Sequence, residues 1–263
     1  GGFAGRELEG RLLNEGIQTD FIHVSGETRT NIIIHERDTG AQLAFNARGP
    51  EIHPSEIMEF IELLQRLPCS DLVTIGGSLP RGVSPEIYRK IITIVKRCES
   101  AAVLDVDGEA LRAGITARPD IIKPNIHELS ELVGRELKGI DEITAAAREI
   151  NRQGVRIVLV SMGARGILMV SEEKELLAVP PTVDVASTIG AGDSSVAGFV
   201  SGLVQNKKLE QCLAYAAAAG TATTLHQGTA LAQKEDFDRL VPHVQVTALS
   251  SVIEKEKEKA NAM

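Results

Sequence analysis

The stretch that decides the fold is residues 72–106, LVTIGGSLPRGVSPEIYRKIITIVKRCESAAVLDV. Leu72–Ile75 is an apolar run typical of a buried strand, and Ser84-Pro85 has the form of a helix start. Ala102–Val106 is a second apolar run. A strand, a helix and a strand in this order predict a right-handed βαβ unit with two parallel strands.

The alternation of strand and helix continues beyond this unit. Ile121–Ile122 and Val155–Val160 are further apolar runs, and a hairpin is predicted over Gly166–Val179. The pattern indicates an α/β fold with a mostly parallel sheet between helix layers, which binds ligands at the carboxyl ends of its strands. Helices are predicted from Pro54 to about Leu67, from Ser84 to about Cys98, from Asn125, from Asp141, and over Gly190–Val204, Leu209–Leu225 and Lys234–Leu240.

A separate antiparallel hairpin is predicted ahead of the βαβ unit. Thr30–His35 and Gln42–Asn46 flank the turn signal Asp38-Thr39-Gly40. Phe21–Val24, which precedes this hairpin, is predicted to be a short strand.

Composition excludes several classes of function. The chain has 263 residues, which suits one large α/β domain or two small ones, and its net charge is −8. An acidic balance argues against nucleic-acid binding, which needs clustered Lys and Arg, and aromatic residues make up only 3%, too few for a stacking platform. The longest apolar runs, such as Leu213–Ala219, are far shorter than the roughly 20 residues of a membrane span, so no membrane partner is predicted.

Three cysteines are widely spaced along the chain: Cys69, Cys98 and Cys212. Their number is odd and no two form a C-x-x-C pair. This pattern predicts reduced thiols in a cytoplasmic protein rather than a disulfide framework or a zinc site.

The segment with the strongest chemical signal is Ser187–Ser194, STIGAGDS. A turn of small residues leads directly into a helix, whose unpaired amide groups and dipole favour a bound anion. Gly190 and Gly192 would let a phosphate approach the backbone, and Asp193 would lie in the first turn, where a carboxylate could accept a proton from an attacking hydroxyl. The alternative is that Asp193 only complements the helix dipole. The chain contains neither a P-loop motif nor a dinucleotide fingerprint.

This segment resembles the C-terminal signature of the PfkB (ribokinase-like) carbohydrate kinases. Four other segments resemble motifs of the same family in the same order, and the resemblance covers about residues 1–245. They are Glu27–Asn31 (ETRTN), Gly76–Gly82 (GGSLPRG), Lys123–Leu129 (KPNIHEL) and Ser161–Gly166 (SMGARG).

The resemblance implies a three-layer αβα kinase domain with a small β lid at about residues 28–47, and an ATP-dependent, Mg²⁺-dependent activity. Asp193 would be the general base and contact the substrate, and the amides of Gly190, Ala191 and Gly192 would form the anion hole. Arg29 and Ser78 would bind a phosphate that the substrate already carries, and Glu128 would organise Mg²⁺ through water. The implied nucleotide contacts are Lys123, Asn125, Ser161, Gly163, Gly166, Thr188, Gly190, Gly192 and His226.

Several of these residues also have a structural interpretation. Asn125-x-x-Glu128 has the spacing of a helix capping box, and Ser161–Gly166 could be a simple turn. Arg29 could be an ordinary surface charge. His226 stands where the family usually has Asn, which affects its expected contribution to the adenine pocket or to a nearby site for a monovalent cation such as K⁺.

The expected reaction is phosphorylation of a ketohexose phosphate to the bisphosphate, with fructose 6-phosphate as first choice. Residues Ala218–Leu225, followed by His-Gln-Gly-Thr, are similar to the minor ATP-dependent 6-phosphofructokinase branch. Fructose 1-phosphate and tagatose 6-phosphate are the alternatives within the family, and a homodimer through the lid is expected. The alternative of another class is a non-catalytic homologue that binds nucleotide or sugar phosphate, or an inactive fragment.

The first residues are Gly1-Gly2-Phe3-Ala4-Gly5, without Met. The family resemblance implies a preceding strand and a glycine-rich sugar-binding loop, so an N-terminal part of the domain is expected to be missing. Residues 246–263 are expected to be a charged C-terminal tail.

Overall fold

The computed structural model of the chain describes residues 1–36 and 42–250. The predicted turn Asp38-Thr39-Gly40 and the charged residues from Glu254 onward lie outside the described residues.

Helices and strands alternate along most of the described chain. The helices are α1 (Gly2–Asn14), α2 (Pro54–Arg66), α3 (Glu86–Arg97), α4 (Gly108–Ile115), α5 (Ile126–Val133), α6 (Ile140–Arg152), α7 (Ala191–Val204), α8 (Leu209–Thr224) and α9 (Lys234–Leu240). The strands are β1 (Ile32–His35), β2 (Gln42–Phe45), β3 (Leu72–Gly76), β4 (Ala101–Asp105), β5 (Ile121–Ile122), β6 (Ile157–Ser161), β7 (Ile167–Ser171), β8 (Glu175–Val179) and β9 (Gln245–Ala248).

The central sheet has seven described strands in the spatial order β3-β4-β5-β6-β7-β8-β9. Strands β3 to β6 are mutually parallel, whereas each of the last three pairs antiparallel to the strand before it. Strand β8 therefore runs with the first four, and five of the seven strands share one direction. The mostly parallel sheet between helices that the sequence predicts is confirmed.

Helix α3 shows why the βαβ unit forms. Its buried residues recur every three or four positions, so they make one apolar stripe that packs on the sheet. Strand β4 is buried on both faces, as expected for a parallel strand covered by helices on each side. The stripe of α3 consists of Ile87, Tyr88, Ile91, Ile92 and Val95.

Helices α7 and α8 pack closely on the other face of the sheet because two glycines of α7 face the α8 backbone. A Cβ atom at Gly198 would overlap the carbonyl oxygen of Tyr215, and one at Gly202 would lie 2.9 Å from Cα of Cys212. This close approach fixes the position of α7, which carries the STIGAGDS signature at its N-terminus.

Replacing Gly198 by alanine is expected to lower the free energy of unfolding by about 1–3 kcal/mol, since the added methyl group forces the two helices apart. Gly10→Ala is the matched control, because Gly10 also lies inside a helix and a Cβ there meets nothing within 4 Å. Urea denaturation of both variants measures the difference. Equal stability of the two variants would contradict the close-packing explanation.

Three details differ from the sequence prediction. Helix α4 was not predicted, and Phe21–Val24 has no strand structure. Strand β9 pairs with β8, so residues 246–248 belong to the sheet and the tail begins later than residue 246. Strand β9 is mostly exposed and polar in sequence, which explains why no apolar pattern marks it.

The prediction of three reduced thiols is wrong for two of them. Cys69 and Cys98 form a disulfide, with their Cα atoms 5.3 Å apart, while Cys212 is a buried free thiol. Cys69 lies just before β3 and Cys98 just after α3. A right-handed crossover returns the chain to the amino end of the sheet, and this brings together two residues that are distant in sequence.

The small hairpin β1–β2 is confirmed as an antiparallel pair with Ile32 opposite Phe45. No helix among the described residues is long and apolar enough to cross a membrane.

Candidate active site

Charged side chains meet where strands β4 and β5 end. Asp105 is the last residue of β4 and Lys123 follows β5 directly. The Lys123 ammonium lies 3.2 Å from an Asp105 carboxylate oxygen, and the Lys123 side chain is only 7% exposed. Asp193, in the first turn of α7, lines a cavity of about 430 Å³ together with Asp105 and Gly76 of β3. These groups therefore lie at the carboxyl ends of parallel strands, the edge at which such a sheet binds ligands.

The N-terminus of α7 is open to an anion. Gly190 is its N-cap, in the left-handed conformation with φ +75°, and no side chain caps this end. A Cβ atom at Gly192 would lie 3.3 Å from the Lys123 ammonium nitrogen, so this cation lies directly against the helix end. Thr188, just before the turn, accepts a hydrogen bond from the Ala191 amide at 3.3 Å. The Lys123 ammonium thus lies at the same helix end that carries Asp193.

Asn125 and Glu128 form the predicted capping box at the start of α5. The Glu128 amide donates to Oδ1 of Asn125, and the Asn125 amide donates to Oε2 of Glu128, both at 2.9 Å. The structural interpretation of this motif is therefore confirmed. It leaves the Glu128 carboxylate half-buried. Lys123 lowers the pKa of this carboxylate and Asp105 raises it.

The carboxylates of this site carry more negative charge than Lys123 offsets. Burial raises the pKa of Asp105, Lys123 opposes that shift, and the negative charges of Asp193 and Asp107 add to it. Burial also raises the pKa of Glu128, helped by Asp105 and Asp107 and opposed by the Asn125 amide and Lys123. For Asp105 the cost of burial outweighs the ion pair, because desolvation of a carboxylate is larger than one partly screened attraction.

The raised pKa values have a consequence for stability. Folding favours the protonated forms of Asp105 and Glu128, so their contribution is present below the ordinary carboxylate pKa. It is lost as the pH rises through the raised pKa of each group, where both become ionised. A bound cation would compensate the ionised pair at neutral pH.

The loop after β6 adjoins this cluster. The Ser161 amide donates to the carbonyl of Pro124 at 3.0 Å, so Ser161 lies next to the start of α5. A Cβ atom at Gly166 would overlap the carbonyl oxygen of Ala178, which gives this glycine a structural role. Gly163, with φ +60°, faces open space. The nucleotide roles of these three residues stay predictions.

His226 lies in the loop after α8. Its Nε2 atom is 2.8 Å from Oδ2 of Asp236. The same loop contacts the start of α7, because the Ser187 hydroxyl donates to the Gly228 carbonyl at 2.9 Å. The side chain of Leu231 would lie 2.9 Å from a Cβ atom at Gly190. His226 thus has a protein partner, and its role towards a nucleotide stays a prediction.

Arg29 and Ser78 are brought together as the resemblance implies. An Nη2 atom of Arg29 donates a hydrogen bond to the Ser78 hydroxyl. Ser78 stands two residues after Gly76, which lines the cavity that contains Asp193. The short loop 76–78 therefore has Gly76 on the cavity of the charged cluster and Ser78 on a second cavity of about 340 Å³, which Arg29 also lines.

Sequence reasoning missed Asp105 and Asp107. The two carboxylates follow an apolar run in the sequence LDVD, and a polar residue at the carboxyl end of a predicted parallel strand is the signal that could have identified them. Asp107 is the N-cap of α4, and no hydrogen bond from its side chain caps that helix.

Comparisons with a family model and with individual proteins identify the same family. The model of the pfkB family carbohydrate kinases matches residues 1–236. The chain is 33% identical over 249 residues to the 1-phosphofructokinase of Bacillus subtilis, an alignment that covers 95% of this chain and 80% of that protein. It is 34% identical over 246 residues to the ATP-dependent 6-phosphofructokinase isozyme 2 of Escherichia coli, with 93% and 80% covered.

The solved structures agree with the sequences. The phosphofructokinase-2 of Escherichia coli in complex with potassium superposes with a TM-score of 0.87 at 34% identity, covering 92% of this chain and 79% of that one. The family match, the relatives and the shared fold all indicate a kinase. The helix end at Gly190–Asp193, which is open to an anion, is consistent with that activity. The chain therefore belongs to the pfkB family of carbohydrate kinases, which are phosphotransferases that act on an alcohol group.

Proposed function

We propose that this protein transfers the terminal phosphoryl group of ATP to a free hydroxyl group of a fructose monophosphate, giving fructose 1,6-bisphosphate. The observation that carries this proposal is the position of Asp193. Asp193 lies in the first turn of a helix end that no side chain caps and against which Lys123 lies. It lines a cavity that also contains Gly76, two residues from Ser78 of the Arg29–Ser78 pair.

Each group has one task in this reaction. Arg29 and Ser78 hold the phosphate that the sugar already carries, since a guanidinium fork and a hydroxyl suit a phosphate dianion. Asp193 accepts the proton from the attacking hydroxyl as the new O–P bond forms. The amides of Gly190, Gly192 and Asp193, together with the Lys123 ammonium, stabilise the negative charge of the transferring group, whereas the Ala191 amide donates to Thr188 within the turn. ADP leaves with the electron pair of the broken O–P bond.

The donor set around Glu128 fits Mg²⁺. Asp105, Asp107 and Glu128 are hard oxygen donors with excess negative charge, which a divalent cation would compensate. The described residues contain no group of three or more His, Cys, Asp or Glu side chains that could hold a metal directly. A site that contacts the ion mainly through water and ATP phosphates agrees with both facts. When bound, Mg²⁺ supplies charge neutralisation for the triphosphate.

Two fructose monophosphates are the main candidates for the acceptor. Fructose 6-phosphate is our first choice, from the residues Ala218–Leu225 and the 34% identity with the 6-phosphofructokinase isozyme 2. Fructose 1-phosphate is the second, favoured by the 33% identity with the Bacillus subtilis 1-phosphofructokinase. Both would yield the same bisphosphate. Tagatose 6-phosphate belongs in the same assay as a third acceptor.

We propose in addition that the hairpin forms a homodimer contact. Its apolar side chains are exposed: Ile32 and Leu43 are each 57% exposed and Phe45 is 53% exposed. A second copy of the hairpin would cover such a surface. A monovalent cation also stays a proposal, because the similar Escherichia coli phosphofructokinase-2 was crystallised with potassium.

Coupled ADP-release assays with ATP, Mg²⁺ and each of the three sugar phosphates test the proposed function directly. Turnover of at least one fructose monophosphate is expected, and unmodified fructose and ribose are expected to react far more slowly. Measurable ATP binding with no turnover of any sugar would instead favour the non-catalytic homologue.

Arg29→Gln is expected to raise the KM for the sugar phosphate roughly 10- to 100-fold, the value of one or two charge-assisted hydrogen bonds. The KM for ATP is expected to stay unchanged, because Arg29 lines the cavity of about 340 Å³ and not the cavity that contains Asp193. Arg66→Gln is the matched control, since Arg66 is an exposed arginine that pairs with Glu62 on helix α2. An equal KM for both variants would show that Arg29 is only a surface charge.

A further inference from the structure

A second arginine, Arg48, lies opposite Arg29 across the open end of the β1–β2 hairpin. The hairpin register pairs Ile32 with Phe45 and His35 with Gln42, so each step back from Ile32 corresponds to one step forward from Phe45. Continued three residues beyond Ile32, the same register places Arg29 opposite Arg48. Arg29 directly precedes the hairpin and Arg48 follows it.

Contacts show that the two chain segments stay side by side beyond the strands. The Ala47 amide donates to Oδ1 of Asn31 at 3.1 Å. The aliphatic part of Arg29 lies against Gly49, since its Cδ atom is 3.5 Å from where a Cβ of Gly49 would be. The segments that carry the two arginines thus stay adjacent beyond the strands.

Both arginines line the same cavity of about 340 Å³, and no acidic residue lines it. His23 and Thr28 add polar atoms, and Ser78 lies at the point where this cavity approaches the charged cluster. Within residues 1–36 and 42–250, neither Arg29 nor Arg48 forms an ion pair with a carboxylate. Eight other arginines in this part of the chain do form such ion pairs, as Arg81 does with Glu51 at 3.4 Å.

Two guanidinium groups that line one cavity without a carboxylate partner repel each other, and an anion bound between them would offset that repulsion. A phosphate dianion fits this arrangement, because each guanidinium presents a planar fork of donors to the phosphate oxygens. We propose that Arg48 is a second guanidinium that binds the phosphate of the sugar substrate and helps the enzyme to select phosphorylated over unphosphorylated sugars. The proposal rests on the proposed function, since it assigns a residue to the same substrate.

Steady-state kinetics of Arg48→Gln test the proposal. The KM for the sugar phosphate is expected to rise about tenfold or more, with kcat and the KM for ATP within twofold of the native values. Arg48→Lys, which keeps the charge but loses the fork, is expected to lie between native and Arg48→Gln. Arg81→Gln is the control, because Arg81 is close in sequence to Ser78 but already pairs with Glu51. Equal KM values for Arg48→Gln and Arg81→Gln would overturn the proposal.

Binding measurements separate this proposal from the proposed function. Calorimetric titration of fructose 6-phosphate and fructose 1-phosphate into the Asp193→Asn protein reports binding without turnover. Weaker binding after Arg48→Gln in that background supports the role of Arg48 even if the native protein transfers no phosphoryl group. Unchanged binding after Arg48→Gln, or no binding of either sugar phosphate before it, overturns the role of Arg48 whatever the turnover of the native protein.

Discussion

Replacing Asp193 by asparagine is expected to lower kcat about 100- to 10,000-fold, the range that a positioned general base contributes. Asparagine keeps the size of the side chain but cannot accept the proton of the attacking hydroxyl. The helix end at Gly190 and the Lys123–Asp105 pair stay in place, so ATP binding is expected to persist. Single-turnover kinetics and calorimetric titration of ATP measure the two quantities separately.

Asp141→Asn is the matched control for this variant. Asp141 lies in the first turn of α6, as Asp193 lies in the first turn of α7, and both are exposed. Both substitutions remove a charge that complements a helix dipole, which is worth about 0.3–1 kcal/mol. Only Asp193→Asn should affect kcat. If both variants keep native kcat, Asp193 merely complements its helix and the proposed mechanism is wrong.

The second large effect is expected for Lys123→Met. Removing the ammonium leaves the partly buried Asp105 carboxylate without its partner, and breaking a buried ion pair costs about 3–5 kcal/mol of unfolding free energy, which we take as the upper range here. The variant is also expected to bind ATP more weakly, because Lys123 lies against the helix end at Gly192. Urea denaturation followed by circular dichroism measures the first effect, and calorimetric titration of ATP measures the second.

The double variant Asp105→Asn with Lys123→Met separates stability from function. With both charges removed, no unpaired buried charge remains, and most of the lost stability is expected to return. ATP binding and turnover are not expected to return, because no cation then lies beside Gly192. A double variant as unstable as Lys123→Met alone would show that Lys123 stabilises the fold by packing rather than by its charge.

The parts of the fold that the sequence predicted share a strong local signal. Helix α3 has a regular apolar stripe, strands β4 and β6 are uninterrupted apolar runs, and α7 begins at a contiguous glycine-rich signature. These patterns need no knowledge of distant residues. The candidate site residues of Ser187–Ser194 rest on the same kind of local signal.

The parts that were missed depend on tertiary contacts. Helix α4 is eight residues long and contains Gly114, which is needed because a Cβ there would press on Leu104 of the sheet. Asp105 becomes a site residue only because β4 and β5 are neighbours in the sheet. Cys69 and Cys98 are joined only because a crossover brings their segments together. None of these relations is visible in a window of adjacent residues.

The spatial order of the central sheet has a consequence for how the protein reaches its folded state. Each of the strands β4 to β9 pairs with the strand that precedes it in the chain, so the sheet can grow from β3 one strand at a time as the polypeptide leaves the ribosome. The Lys123–Asp105 pair is complete once β5 has joined β4, whereas α7 is synthesised only after β8. Nascent chains that end before α7 can therefore already pair Lys123 with Asp105, whereas α7, which carries Asp193 and lies against Lys123, completes the candidate site late.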